Sequence, residues 1–113
     1  MSHKNSSPEP AVQWKGKFLQ VLRSGYWEYA DRIGTTGAVA IVAVTDNREL
    51  LLTEQYRIPV KARVLELPAG LVGDLPGAGG EPAIEGARRA LLEETGYAAE
   101  RLVSVATGPT SAG

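Results

Sequence analysis

An α+β domain is predicted from three features: an amphipathic helix with clear punctuation over residues 81–97, a continuous apolar run with β-branched character at Ala38–Val44, and an aromatic hairpin pattern nearer the N-terminus. The chain has 113 residues and is 43% hydrophobic, enough for one small domain that buries roughly two-thirds of its unfolded surface. It has no cysteine, which excludes disulfides and thiolate metal sites and suits a cytoplasmic protein. The single histidine, His3, lies in the polar N-terminus, which argues against a histidine-based dyad or zinc site. A net charge of −1 argues against a nucleic-acid surface. No apolar run approaches the length of a membrane span, and the N-terminus lacks a signal-peptide core.

Taken in order, residues 1–11 are polar with two prolines and read as a flexible lead. Residues 12–34 read as a hairpin. Its first strand runs from Val12 to Leu22 and carries Trp14, Phe18, Leu19 and Val21; Ser24-Gly25 makes the turn, and Tyr26-Trp27-Glu28-Tyr29 begins the second strand. Residues 35–113 hold the main domain. Ala38–Val44 is expected to be a central strand covered on both faces. Since one helix covers only one face, a partner subunit is expected on the other. Thr45, Asp46 and Asn47 mark a turn, and Glu49–Tyr56 is the expected hairpin partner across it. Arg63–Leu67 is a short strand stopped by Pro68. Leu71–Gly80, with four glycines and one proline, reads as a flexible loop; its GAGG lacks the G-K-[ST] ending of a phosphate-binding loop. Leu102–Ala106 is predicted as a strand, followed by a loop over Gly108–Gly113.

In the helix, Pro82 suits the first position and Gly96 the position just past the end. At 100° per residue, Ile84, Ala87 and Leu91 share the core face, while Glu93 and Glu94 point away from it. Two carboxylates at the negative end of the helix dipole cost about 0.3–1 kcal/mol each when exposed. A cation bound between them would remove that cost. The other reading is a solvated helix end with Arg88 and Arg89 as i to i+4 partners.

Glu81, seven residues, then Arg89-Ala90-Leu91-Leu92-Glu93-Glu94-Thr95-Gly96-Tyr97 resembles the second part of the Nudix box, G-x5-E-x7-R-E-U-x-E-E-x-G-U, where U is bulky and apolar. Leu65-Glu66-Leu67-Pro68-Ala69-Gly70 resembles the E-L-P-A-G lead-in of the ADP-ribose pyrophosphatase branch. It supplies the first glycine of the box, so that Gly70, Glu81, Arg89 and Gly96 are its structural residues. There are two departures: ten residues separate Gly70 from Glu81 where the box has five, and Ala90 replaces the first Glu of R-E-U-x-E-E. Trp27-Glu28 followed by Arg32 resembles the branch's W-E-x-x-x-R stretch, and Glu54-Gln55-Tyr56-Arg57-Ile58-Pro59 resembles its E-Q-Y/F-R-x-P stretch.

The resemblance implies a Nudix fold, an α/β/α sandwich with a mixed sheet, and an N-terminal antiparallel sheet exchanged within a homodimer. It implies hydrolysis of ADP-ribose or a related nucleoside diphosphate sugar with Mg²⁺ or Mn²⁺. Glu93 and Glu94 would be the catalytic carboxylates and metal ligands, joined by the carbonyl oxygens of Ala69 and Gly70. Trp14 and Trp27 would stack on the base, the alternative being core or dimer contacts. Arg32 and Arg57 would bind phosphate, Arg57 being otherwise a surface residue ending a strand. Arg89 would pair with Glu81 or Glu93, and Glu66 would support the site or point to solvent. In such relatives the chain continues into an acidic segment, further strands and a final helix that supply another catalytic Glu. This chain resembles their N-terminal two-thirds. With that Glu absent and Ala90 in place of a carboxylate, the resemblance implies weak or lost turnover. The alternatives are a non-catalytic nucleotide-binding module and an inert dimerising fragment.

Overall fold

The structure, a computed structural model, describes residues 8–73, 80 and 82–109. Among them the order is β1 (Ala11–Lys15), β2 (Leu19–Ser24), β3 (Trp27–Arg32), β4 (Gly37–Ala40), β5 (Thr53–Arg57), a 3-10 turn (Ile58–Val60), β6 (Ala62–Glu66), β7 (Ala69–Val72) and α1 (Ala83–Thr95). This is the predicted α+β class, and every ladder among the described residues is antiparallel. The chain divides into two compact units, Met1–Gly34 with Gly108–Gly113, and Thr35–Thr107.

The first unit holds a three-stranded sheet in the order β1-β2-β3, one strand more than the predicted hairpin. The expected single strand over Val12–Leu22 breaks after Lys15, where the Gly16 N–H donates to the Leu19 carbonyl at 2.7 Å and closes a turn. Its apolar residues are too loosely spaced to hold one period of two through the segment. The predicted lead gives up Ala11 to β1, and the Pro8 carbonyl accepts from the Ser24 hydroxyl at 2.6 Å. The remainder of that lead, His3 included, lies outside the described residues.

In the second unit β4 pairs with β7, Ala40 opposite Ala69 and Gly37 opposite Val72. Leu71 and Val72, predicted as loop, therefore belong to a strand; residues 74–79 of that loop and Glu81 lie outside the described residues. The apolar run does not become one long buried strand. Beyond Ala40 it is held by the Ile41 N–H to the Pro68 carbonyl (2.8 Å), the Leu51 N–H to the Ala43 carbonyl (2.9 Å), and a Val44–Leu50 bridge. Val39, Ile41 and Ala43 turn inward, whereas Ala38, Ala40, Val42 and Val44 are exposed. The reason is the pleat: alternate residues face opposite sides, and α1 covers only one.

Glu49–Tyr56 meets expectation next to the turn, where Leu50 and Leu51 pair back with Val44 and Ala43; beyond it, β5 forms its ladder with β6. The turn at Thr45–Glu49 closes tightly, with Arg48 at φ 64°. The Ile58–Val60 turn, ended by Lys61 at φ 55°, then folds β6 back onto β5. Leu102–Ala106 forms no strand. Its β-branched residues favour extended chain, but a strand needs a ladder partner, and among the described residues it has none.

The helix starts one residue later than predicted. Pro82 is the N-cap, in extended conformation, and its carbonyl accepts from the Glu85 and Gly86 N–H groups. Gly96 ends it as predicted, at φ 77°, with its N–H on the Leu92 carbonyl at 2.9 Å. The buried stripe is Gly86, Ala87, Ala90 and Leu91; Ile84, expected on it, is half-buried. Ile41, Ala87, Ala90 and Leu91 form the core cluster, flanked by Val39, Ala43, Leu51, Ala99 and Leu102.

Candidate active site

The site is set by how closely α1 lies on β7. A Cβ built on Gly70 would stand 2.6 Å from the Ala90 Cβ, so only glycine permits this approach. Ala90 is 3% exposed. The position that resembles the first Glu of R-E-U-x-E-E is therefore a packing contact in this chain.

One turn further along α1, the Glu94 carboxylate accepts a hydrogen bond from the Ala69 N–H at 3.0 Å. The residue before Gly70 and the penultimate residue of α1 are thereby tied together. Glu93, beside it, is mostly exposed and accepts from Arg89 Nη1 at 3.4 Å. Arg89 also donates to the Leu71 carbonyl at 3.3 Å, so it links α1 to β7. Its other expected partner, Glu81, lies outside the described residues. The two arginines are not equivalent: Arg89 takes the i+4 carboxylate, while Arg88 bonds the Ala99 carbonyl at 2.9 Å and approaches Glu85 at i−3. The end of α1 is closed by Thr95, whose hydroxyl donates to the Leu91 carbonyl and accepts from the Tyr97 N–H.

Beside this end lies an open depression of about 510 Å³, walled by residues 51–55 on one side and by Glu94, Thr95 and Tyr97 on the other. At the β5–β6 hairpin, Arg57 and Glu66 form a two-pronged ion pair, Nε to Oε2 at 2.6 Å and Nη2 to Oε1 at 2.8 Å. Glu66 thus takes the partner that sequence reasoning left open. The hydrogen bond to Arg57 holds the Glu66 carboxyl below the usual carboxylate range, against the opposing effect of desolvation. The Arg57 guanidinium is raised above its ordinary value by the Glu66 hydrogen bond first, then by the charge of Glu66, with a smaller contribution from Glu94. Sequence alone could have suggested the pair only through strand register, which places both residues on one hairpin face.

Trp14, Trp27 and Arg32 belong to the first unit. Trp14 lies opposite Val21, Val21 opposite Ala30, and Leu19 opposite Arg32, whereas Trp27 lies opposite Ser24. Direct partners share a face and neighbours alternate. Trp14 and Arg32 are therefore on one face and Trp27 is on the other. An irregularity between Val12 and Trp14 sets this arrangement. Both rings are 60% exposed, and the Trp14 ring lies over Gly16.

For a divalent cation, the described residues offer oxygen donors at Glu93, Glu94 and the Ala69–Gly70 backbone. They contain no group of three or more His, Cys, Asp or Glu side chains placed to hold one. That set fits a hard cation bound through one or two carboxylates plus water and ligand phosphates, and does not fit an all-protein cage. No described helix is long and apolar enough to cross a membrane.

The helix α1, strand β7 and the Ala69–Glu94 hydrogen bond that ties them all lie in the stretch that a known family matches. The NUDIX domain family model matches residues 34–111, and the chain belongs to that family. Its relatives include an ADP-ribose pyrophosphatase of Bacillus subtilis, 40% identical over 77 residues, which cover 68% of this chain and 39% of that protein. An ADP-ribose pyrophosphatase of Mycobacterium tuberculosis is 43% identical over 76 residues, covering 65% and 35%. A methanol dehydrogenase activator of Bacillus methanolicus is 41% identical over 91 residues, covering 78% and 46%. The matched stretch is less than half the length of each of these relatives.

Proposed function

We propose that the chain binds ADP-ribose or a related nucleoside diphosphate sugar with Mg²⁺ or Mn²⁺ and hydrolyses its pyrophosphate slowly. The observation that carries this reading is the Glu94 carboxylate held by the Ala69 N–H. It fixes an acidic group at the strand start beside Gly70, with Arg57 on the neighbouring hairpin. Relatives named as ADP-ribose pyrophosphatases suggest the substrate class.

In the reaction, water attacks one phosphorus, the bond to the bridging oxygen breaks, and nucleoside monophosphate and a sugar phosphate result. Glu93 and Glu94 would hold a divalent cation, which would supply charge neutralisation and a more acidic water. The chain's own residues do the rest. Glu94 is pre-oriented by the backbone, Arg89 holds α1 on β7, and Arg57 supplies directed donors for a phosphate oxygen. In a dimer, Trp14 and Trp27 would stack on the base, each from its own sheet face, and Arg32 would bind phosphate. Slow turnover follows from Ala90, whose missing carboxylate leaves the cation with fewer anionic ligands.

The test is thermal unfolding with and without ADP-ribose and Mg²⁺, with monophosphate measured in the same samples for the natural chain and Ala90→Glu. At a hundred times its dissociation constant the ligand should stabilise the fold by about 2.7 kcal/mol. Product should form slowly in the natural chain and faster in the variant. A melting curve unmoved by ligand in both proteins, with no product, would remove this reading in favour of an inert fragment. A shift with no product from either would leave a binding module.

A further inference from the structure

Arg57 and Glu66 come from opposite ends of one hairpin face. Arg57 pairs with Ala62 and Glu66 with Thr53, with the Gln55–Val64 pair between them on the same face. About 13 Å of strand separates the two positions, yet their side chains run along the face and meet as a fork.

The fork uses one particular edge of the guanidinium. Nε and Nη2 form its lateral edge, and both are engaged by Glu66. A guanidinium offers five donors in one rigid plane. Among the described residues, Nη1 has no hydrogen-bond partner, and the Arg57 side chain is 45% exposed. The end-on edge, Nη1 with the second hydrogen of Nη2, is therefore open to water. Glu66 grips the side of the group and fixes its plane.

We propose that Glu66 is a positioning residue for an anion subsite on Arg57: it clamps the lateral edge so that the Nη1–Nη2 edge is presented, already oriented, to a phosphate group of a diphosphate ligand. This rests on the diphosphate reading above. The Arg57–Glu66 pair carries no net charge and Glu94 adds a negative one nearby, so attraction comes from directed donors, and a phosphate binds only with a divalent cation alongside.

The experiment measures the dissociation constant of inorganic pyrophosphate by calorimetry, with and without Mg²⁺, for the natural chain, Arg57→Ala, Glu66→Ala, Glu66→Gln and the double alanine variant. Loss of a charge-assisted fork should weaken binding at least about tenfold in Arg57→Ala. Glu66→Ala should lose a comparable factor and Glu66→Gln a smaller one, because the amide keeps one acceptor. The double variant should be no weaker than Arg57→Ala alone, a non-additivity that general loosening of the hairpin would not produce. Circular dichroism establishes that each variant is folded, and Glu66→Gln carries the test if Glu66→Ala is not. Equal or tighter binding in both Glu66 variants, or additive losses in the double variant, would overturn the positioning role while leaving the diphosphate reading intact. Unchanged affinity in Arg57→Ala would remove the Arg57 subsite, and no binding by the natural chain would overturn both proposals.

Discussion

Where α1 crosses β7, Gly70 and Ala90 bring two backbones together with almost no side chain between them. At the β5–β6 hairpin, two long charged side chains reach across the face and meet in the open. The first contact has little freedom, since a methyl group added at Gly70 must displace a strand or a helix. The second is made of two long side chains near the surface, held in one geometry by the fork between them. The seam fixes where Glu94 and Ala69 stand, and the fork fixes the plane of the Arg57 guanidinium. One position is set by the approach of two backbones and the other by paired side chains.

The sharpest way to break this contrast is to remove mass from each region. Leu91 is 2% exposed in the core behind the seam, and Leu65 is 67% exposed on the outer face of the hairpin. Leu91→Ala should cost about 2–5 kcal/mol in urea unfolding, and Leu65→Ala no more than about 0.5 kcal/mol. Equal losses would mean that the hairpin is as tightly packed as the seam. Adding mass comes next in size. Gly70→Ala sets a methyl group 2.6 Å from the Ala90 Cβ and should cost about 1–3 kcal/mol through overpacking. A neutral result in the same unfolding assay would show that α1 can lift off β7 freely.

The same contrast explains what could be read from the sequence. The helix and its closing glycine were legible because their signals are local: Gly96 takes the left-handed conformation just past the last turn. Small residues at Gly86, Ala87 and Ala90 signal close approach, but which backbone they approach is decided by β7. The run Ala38–Val44 announced a strand, yet composition does not say which face will be covered, and α1 covers only the side of Val39 and Ile41. Leu102–Ala106 has strand composition and no partner. The site shows the same divide. Ala69 and Gly70 were candidates through the E-L-P-A-G resemblance and Glu93 and Glu94 through the end of the box, and the structure joins Ala69 to Glu94. The Arg57–Glu66 fork was not legible, because it depends on the β5–β6 register, and the opposed faces of Trp14 and Trp27 depend on an irregularity next to Trp14.

The smallest effect lies in the ion pair and is read through pH. The Glu66 carboxyl is lowered in the folded chain by its hydrogen bond to Arg57. The folded state therefore holds its proton more weakly than the unfolded chain does, and stability rises with pH wherever the unfolded state binds more protons. The pair's contribution is complete above the usual carboxylate range and is lost as pH falls through that range to the lowered folded value. Arg57 is exposed and Glu66 partly so, and the pair lies at the surface, so the change should be slight. Melting temperatures of the natural chain and Glu66→Gln should differ by a constant amount near neutral pH and converge in acid, since protonated Glu66 and glutamine are alike in charge. A difference that stays constant into acid would show that the natural pair stabilises the hairpin by shape rather than charge.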